Sequence, residues 1–310
     1  MSNRVNSVDG STVVSIAALI TCHNRKELTL SCLRSLQSQE LPANARLEIY
    51  LVDDASTDGT SMEVRSEFPD VRVIAGDGAL FWGGGMRLAF GKALEGGYTH
   101  YLWINDDNDL DRDAISRALE FAGDCAADYD KSPIVVGVFQ DSAGTRTTYG
   151  GWKARSRILP ARLRLVEDHS KSYACDTANG NFVLIPSAVP QAIGNIDSRM
   201  IHTMGDFDFL FRARKAGFPV LTLPGLAGKC DTNVGHLDHA FARKSLLEAW
   251  RYFTSTKCLP PGQWATFHFR HGGLLWPVTF LSPYLKFWFL AFSQIAGRGY
   301  GARASADRSR

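Results

Sequence analysis

The sequence predicts an α/β protein: a mostly parallel central sheet flanked by helices, with a C-terminal helical extension. Two observations carry this. Short apolar, β-branched runs at 13–20, 48–52, 71–75 and 101–104 alternate with stretches of helical periodicity, the pattern of βαβ units. Three of these runs stop abruptly at polar or acidic residues, at the strand ends where open α/β sheets bind ligands. A third observation sets the extension apart: residues 274–296 are apolar, rich in aromatics and carry one charge, Lys286.

A chain of 310 residues can bury a sizeable core. Composition divides it into a polar, disordered start (1–11), a main domain (12–240), a helical extension (241–297) and a basic flexible tail (298–310). The net charge of +2 provides no electrostatic footprint for nucleic acid. The six cysteines form no CxxC pair. With no signal segment ahead of them they read as reduced thiols of a cytoplasmic protein.

Taken in order, the strand at 13–20 runs into Thr21-Cys22-His23-Asn24-Arg25, followed by a helical pattern over 28–37. The strand at 48–52 ends in Asp53-Asp54-Ala55-Ser56-Thr57-Asp58-Gly59-Thr60. A carboxylate in that position accepts hydrogen bonds from a ribose hydroxyl or a base N–H, while Ser56 and Asp58 suit the turn and the helix cap. In Phe81-Trp82-Gly83-Gly84-Gly85-Met86-Arg87 the glycines allow close approach of backbone to ligand. A helix starting after them would offer free N–H groups to phosphate, with Arg87 as a further contact. Neither GxGxxG nor a P-loop is present.

The strand at 101–104 ends in Asn105-Asp106-Asp107-Asn108-Asp109. Three carboxylates within four residues repel one another unless a cation compensates. A hard divalent ion, Mg²⁺ or Mn²⁺, suits them. Asp111 and Asp113 read as ordinary caps of a helix over 114–121.

These four motifs resemble the family 2 glycosyltransferases of the GT-A fold, of the rhamnosyltransferase-like kind that assembles bacterial glycans, over roughly residues 13–230. The resemblance implies a nucleoside-diphosphate sugar donor and a divalent metal cofactor. It assigns the donor to Thr21, Asn24, Arg25, Asp53, Asp54, Gly84, Arg87 and Asp106, with Asp54 at the nucleoside. It assigns the metal to Asp107, with Asp109 and His236 as further candidates. Asn105 stands where the family carries its first acid. Trp82, Asn179, Gly180, Asn181 and Arg212 fall on the acceptor side, although Asn-Gly is also an ordinary turn pair.

In Met204-Gly205-Asp206-Phe207-Asp208, at the start of a helix ending near Gly217, the same resemblance makes Asp206 the catalytic base. Gly205 replaces the usual glutamate. Asp208 is the runner-up base and the better helix cap; Arg212, four residues on, contacts phosphate or pairs with Asp208. An inverting transfer needs a carboxylate to take the proton of the attacking hydroxyl.

The basic stretch 153–164 reads as a solvated loop, or else as a holder of an anionic acceptor. Residues 274–296 are long enough to span a bilayer. Pro277, Pro283 and Lys286 favour instead helices on a membrane surface or packed on the core, and the arginines of the tail attract anionic headgroups.

The expected protein is therefore an inverting, metal-dependent glycosyltransferase of cell-surface polysaccharide assembly. It would act on a glycan or lipid-linked hydroxyl at the inner face of the plasma membrane, with no nucleic-acid partner. A sugar nucleotidyltransferase and a non-catalytic membrane-associated scaffold are the alternatives.

Overall fold

The computed structural model describes residues 7–8, 11–232 and 245–306; His236 lies outside them. The chain divides into two compact units, residues 1–153 with 163–232, and residues 154–162 with 233–310.

The first unit is built on a seven-stranded sheet. Its strands are β1 (Val14–Cys22), β2 (Ala45–Asp53), β3 (Arg72–Ala75), β4 (His100–Ile104), β5 (Ile134–Val136), β6 (Phe182–Pro186) and β7 (Val220–Thr222), in the order β7-β5-β6-β4-β1-β2-β3. Parallel pairs join β1 to β2 and β4, β2 to β3, and β5 to β7. Strand β6 runs antiparallel to both neighbours. The central strands are apolar throughout because helices cover both faces: Ile16 to Ile20 and Leu102 to Ile104 are fully buried.

Register determines which loops meet. Cys22 pairs with Asp53, and Asp53 with Ala75, so β1, β2 and β3 end level with one another. Phe182 pairs with Ile104. The reversed β6 therefore begins where β4 ends, and the polar residues before β6 face the acidic loop after β4.

Helices α1 (Lys26–Gln37), α2 (Thr60–Glu67), α3 (Phe81–Leu94), α4 (Ala114–Asp124), α5 (Ala188–Ile193) and α6 (Gly205–Lys215) complete this unit. Helix α3 corrects one expectation. It starts at Phe81, so the three glycines lie inside it rather than ahead of it. A Cβ at Gly85 would overlap the Thr21 side chain, and one at Gly83 the Met200 carbonyl. The glycines serve close packing of helix on strand and loop. In the stretch expected to be disordered, Ser7–Val8 pairs antiparallel with Ser11–Thr12.

In the second unit, α7 (Leu246–Phe253), α8 (Pro261–His271) and α9 (Trp276–Ala306) surround an aromatic core. Phe253, Tyr284, Phe287 and Ala291 are buried together, and the Tyr284 hydroxyl donates to the Leu259 carbonyl at 3.1 Å. Thr279 Oγ1 lies 2.8 Å from His268 Nδ1. Among the described residues no helix is long and apolar enough to cross a membrane, so the spanning reading of 274–296 is not realised. One face of α9 packs instead on its neighbours. Arg155, Arg157, Arg162 and Arg164 are exposed, as a solvated loop requires.

Candidate active site

Thr21, Asn24, Arg25, Asp53, Asp54, Asp106 and Asp107 lie where β1, β2 and β4 end, beside the start of β6. Four non-glycine residues with positive φ lie on the adjoining segments: Asn24 (52°), Ala55 (56°), Phe81 (53°) and Met204 (64°). Such backbone is costly and persists where surrounding contacts over-determine it.

Those contacts are visible. Asn24 accepts from the Thr57 N–H at 2.7 Å, and its own N–H donates to Ser56 Oγ at 2.8 Å, locking the loop after β1 to the loop after β2. Asp53 accepts from the Ser56 N–H at 2.9 Å and from the Ser61 hydroxyl. Asp54 accepts from the N–H groups of Gly78 at 2.7 Å and Phe81 at 3.0 Å. It thereby caps α3 from a neighbouring strand. Both carboxylates are buried, so each shapes a loop of the site.

Arg25 reaches across to the acidic loop. Its Nη1 donates to Asp106 Oδ1 and its Nη2 to Asp107 Oδ2, each at 2.7 Å. Two adjacent carboxylates are tolerated there because one guanidinium bridges them. Burial pushes the Asp106 carboxyl up to about 7; Arg25 opposes the rise and Asp107 adds to it. Asp109 is exposed on a short strand whose register sets it beside Lys229. Asp113 stands at the N-cap of α4 without a side-chain cap hydrogen bond, and both Asp111 and Asp113 pair at the surface with Arg117 instead of capping.

The residues present fit a hard divalent ion of the kind that takes one or two carboxylates plus substrate phosphates. Asp106 Oδ2 is buried without a hydrogen-bond partner, and Asp107 supplies oxygen donors. Among the described residues no three His, Cys, Asp or Glu side chains form a cage of their own.

The opposite wall carries Asp206, in the first turn of α6. Its carboxylate accepts from the Gly180 N–H at 2.9 Å and the Phe207 N–H at 2.8 Å. Burial pushes it up to about 6 against those two hydrogen bonds. Trp82 connects this wall to the acidic loop. Its indole N–H donates to Asn105 Oδ1 at 2.8 Å, and its ring lies so close to Gly180 that a Cβ there would overlap it. A Cβ at Gly205 would sit 3.5 Å from the same ring. Glycine at 180 is thus what the indole requires, whereas a Cβ at 205 would meet it at ordinary contact distance.

Other candidates are placed differently. Asp208 is fully buried and paired with Arg212 at 2.8 Å. Arg212 also donates to the carbonyls of Ile193 and Asn195 at 2.8 and 3.0 Å, so it fastens α6 to the end of α5. Asn179 accepts from the Trp152 indole at 2.6 Å. Asn181 is buried beneath the acidic loop, where it and Asn108 exchange amide hydrogen bonds. The Gly84 N–H is engaged by the Leu80 and Ile201 carbonyls, each at 3.0 Å, which removes the free donor expected there. Arg87 is exposed on α3, and Thr21 packs on Gly85.

Two contacts escaped the sequence. Asn108 supports the acidic loop from below, and Cys230 Sγ lies 3.5 Å from Asp107 Oδ1.

The class that this arrangement defines is that of the glycosyltransferases. The sequence profile of glycosyl transferase family 2 matches residues 17–182, more than half of the chain, and the chain belongs to this family. No curated protein sequence matches it. Its fold is similar to that of TarS residues 1–349 from S. aureus, with a TM-score of 0.52 at 14% identity over 70% of this chain and 60% of that one. The chain thus spans less than two thirds of that structure. TarS 1–349 solved with UDP gives a TM-score of 0.51 at 13% identity, over 81% of this chain and 69% of the other; the same protein solved with UDP-GlcNAc gives 0.51 at 13%, over 81% and 70%. Of the three readings of the sequence, the glycosyltransferase is the one the family match supports.

Proposed function

We propose that the protein is an inverting, metal-dependent glycosyltransferase. It moves a sugar from a nucleoside diphosphate to a hydroxyl of a glycan or lipid-linked acceptor, in cell-surface polysaccharide assembly at the cytoplasmic face of the membrane. The observation that carries this reading is the single indole of Trp82, which touches the Asp206 wall and the acidic loop at once. A base and a diphosphate-binding loop must face one another across a reacting anomeric carbon, and Trp82 holds their two supports together.

In this reading Thr21, Asn24, Asp53 and Asp54 form the nucleoside end, with Asp53 and Asp54 shaping the loops that receive it. Asp107 would hold the divalent ion. When bound, that ion neutralises charge on the leaving diphosphate. Arg25 balances the acidic pair and presents a cation to the same phosphates. Asp206 takes the acceptor proton: two backbone N–H groups orient it, and burial raises its basicity toward the working pH. Asp208 and Arg212 keep α6 in register and take no part in the chemistry.

The test is a thermal-shift screen with UDP, GDP, dTDP and CDP, each with and without Mn²⁺. Binding to the folded state raises Tm by mass action. A metal-dependent rise with one nucleotide, lost in Asp107→Ala, supports the reading. No rise with any of them would count against it.

A further inference from the structure

We infer that α9 rests its outer face on a membrane surface bearing anionic headgroups, lying in the plane of that surface. Helix α9 is apolar on two sides. One side packs into the helical unit through Tyr284, Phe287 and Ala291. The other presents Val278, Leu281, Leu285, Phe289 and Phe292 to solvent, with Leu285 65% and Phe289 73% exposed. Steps of three and four residues keep these five side chains within about 80° of helix circumference, over about 20 Å of helix. Leu274, 97% exposed, continues the same line ahead of the helix. Isolated exposed leucines mean little, but an unbroken stripe of this length marks a surface that something apolar covers.

Charge identifies the occupant. Residues 245–310 contain eight Lys and Arg against two Asp and Glu, in a chain whose net charge is only +2. Positive charge is therefore concentrated in the unit that carries the stripe. Lys286 is exposed one residue from Leu285, and Arg298, Arg303, Arg308 and Arg310 follow the stripe in sequence. An apolar stripe with basic surroundings suits an interfacial helix on anionic lipid. Paired helices commonly set opposite charges along the edges of their seam, whereas the sequence around this stripe supplies mainly one sign. Since no described helix can cross a bilayer, the contact is peripheral.

The inference extends the membrane placement in the proposed function but rests on the helical unit alone. The test is co-sedimentation of the full chain with vesicles of phosphatidylcholine containing about one third phosphatidylglycerol, against pure phosphatidylcholine. The wild type should bind the anionic vesicles about tenfold more tightly, and high salt should weaken that binding. The triple variant Leu281→Ser, Leu285→Ser, Phe289→Ser should lose binding about tenfold or more, with its Tm and its Tm response to nucleotide unchanged. Because donor binding is read in the same samples, failure of the transferase reading leaves this result standing, and the reverse. A second measurement uses wild-type protein only: brominated lipid should quench tryptophan emission, since Trp288 borders the stripe beside Phe289. Equal vesicle binding by variant and wild type would overturn the inference. So would absence of quenching, or a wild-type dimer that the triple variant dissociates.

Discussion

The Trp82 indole donates to the Asn105 side-chain carbonyl at 2.8 Å, and this bond ties the wall around Gly180 to the acidic loop. An aspartate could accept the same hydrogen bond. It would also add a third carboxylate beside Asp106 and Asp107, which already share one guanidinium. Asparagine keeps the acceptor without the charge. Trp82→Phe keeps most of the ring and deletes the donor. It should cost about 1 kcal/mol of stability and lower turnover more than donor affinity, because the bond aligns two walls rather than gripping one ligand. Comparing kcat with the nucleotide-induced Tm rise separates the two effects.

Arg25→Met leaves Asp106 and Asp107 without their bridging cation. Removing one partner of a mostly buried ion pair costs about 3–5 kcal/mol, and Arg25 is exposed enough to reduce that to roughly half. The variant should melt several degrees lower in EDTA and gain more from Mn²⁺ than the wild type does, since the ion then supplies the missing positive charge. Melting curves with and without Mn²⁺ decide it. Equal gains would mean that Arg25 and the ion do not act on the same carboxylates.

Asp206→Asn should lower transfer by about 10²–10⁴-fold while leaving nucleotide binding intact. The wild-type pH profile should carry the same signature. With a carboxyl near 6, kcat/KM rises about tenfold per pH unit up to about pH 6 and then levels, as the base form fills. The stability linkage runs the other way. The folded carboxyl titrates above its unfolded value of about 3.9, so the stability it contributes is complete below that value and is lost as pH rises through about 6. Asp206→Asn should abolish both dependences; an unchanged pH–rate profile in that variant would place the base elsewhere.

Asp208 separates a structural carboxylate from a catalytic one. Asp208→Ala strands part of the Arg212 guanidinium in a buried site and should cost about 3–5 kcal/mol. Asp208→Asn keeps an acceptor for Arg212, should cost less, and should retain transfer in whatever fraction stays folded. Loss of transfer at unchanged Tm in Asp208→Asn would make Asp208 the base.

The strands and the helices between them were legible because each is a local pattern: 48–52 and 101–104 are apolar runs cut off by acids, and Ala45–Asp53 and His100–Ile104 form over them. The packing role of the glycines was not legible. Gly83 and Gly85 look like a ligand loop in sequence, yet what they meet is the Met200 carbonyl and the Thr21 side chain, one of them more than a hundred residues away.

Sequence alone determined the α/β class, the family, and the strand ends that carry Asp53, Asp54, Asp106 and Asp107, since hydrophobic period and turn chemistry are encoded within a few neighbouring residues. Only the tertiary structure decided what each group does there. It paired Asp208 with Arg212, spent the Gly84 N–H on carbonyls, laid Arg25 across two carboxylates, and brought Asn108 and Cys230 under the acidic loop. The physical reason is that a side chain's role depends on its partners and its access to water. Those are set by strand register and helix packing, here by an antiparallel β6 that carries residues 179–181 to the end of β4.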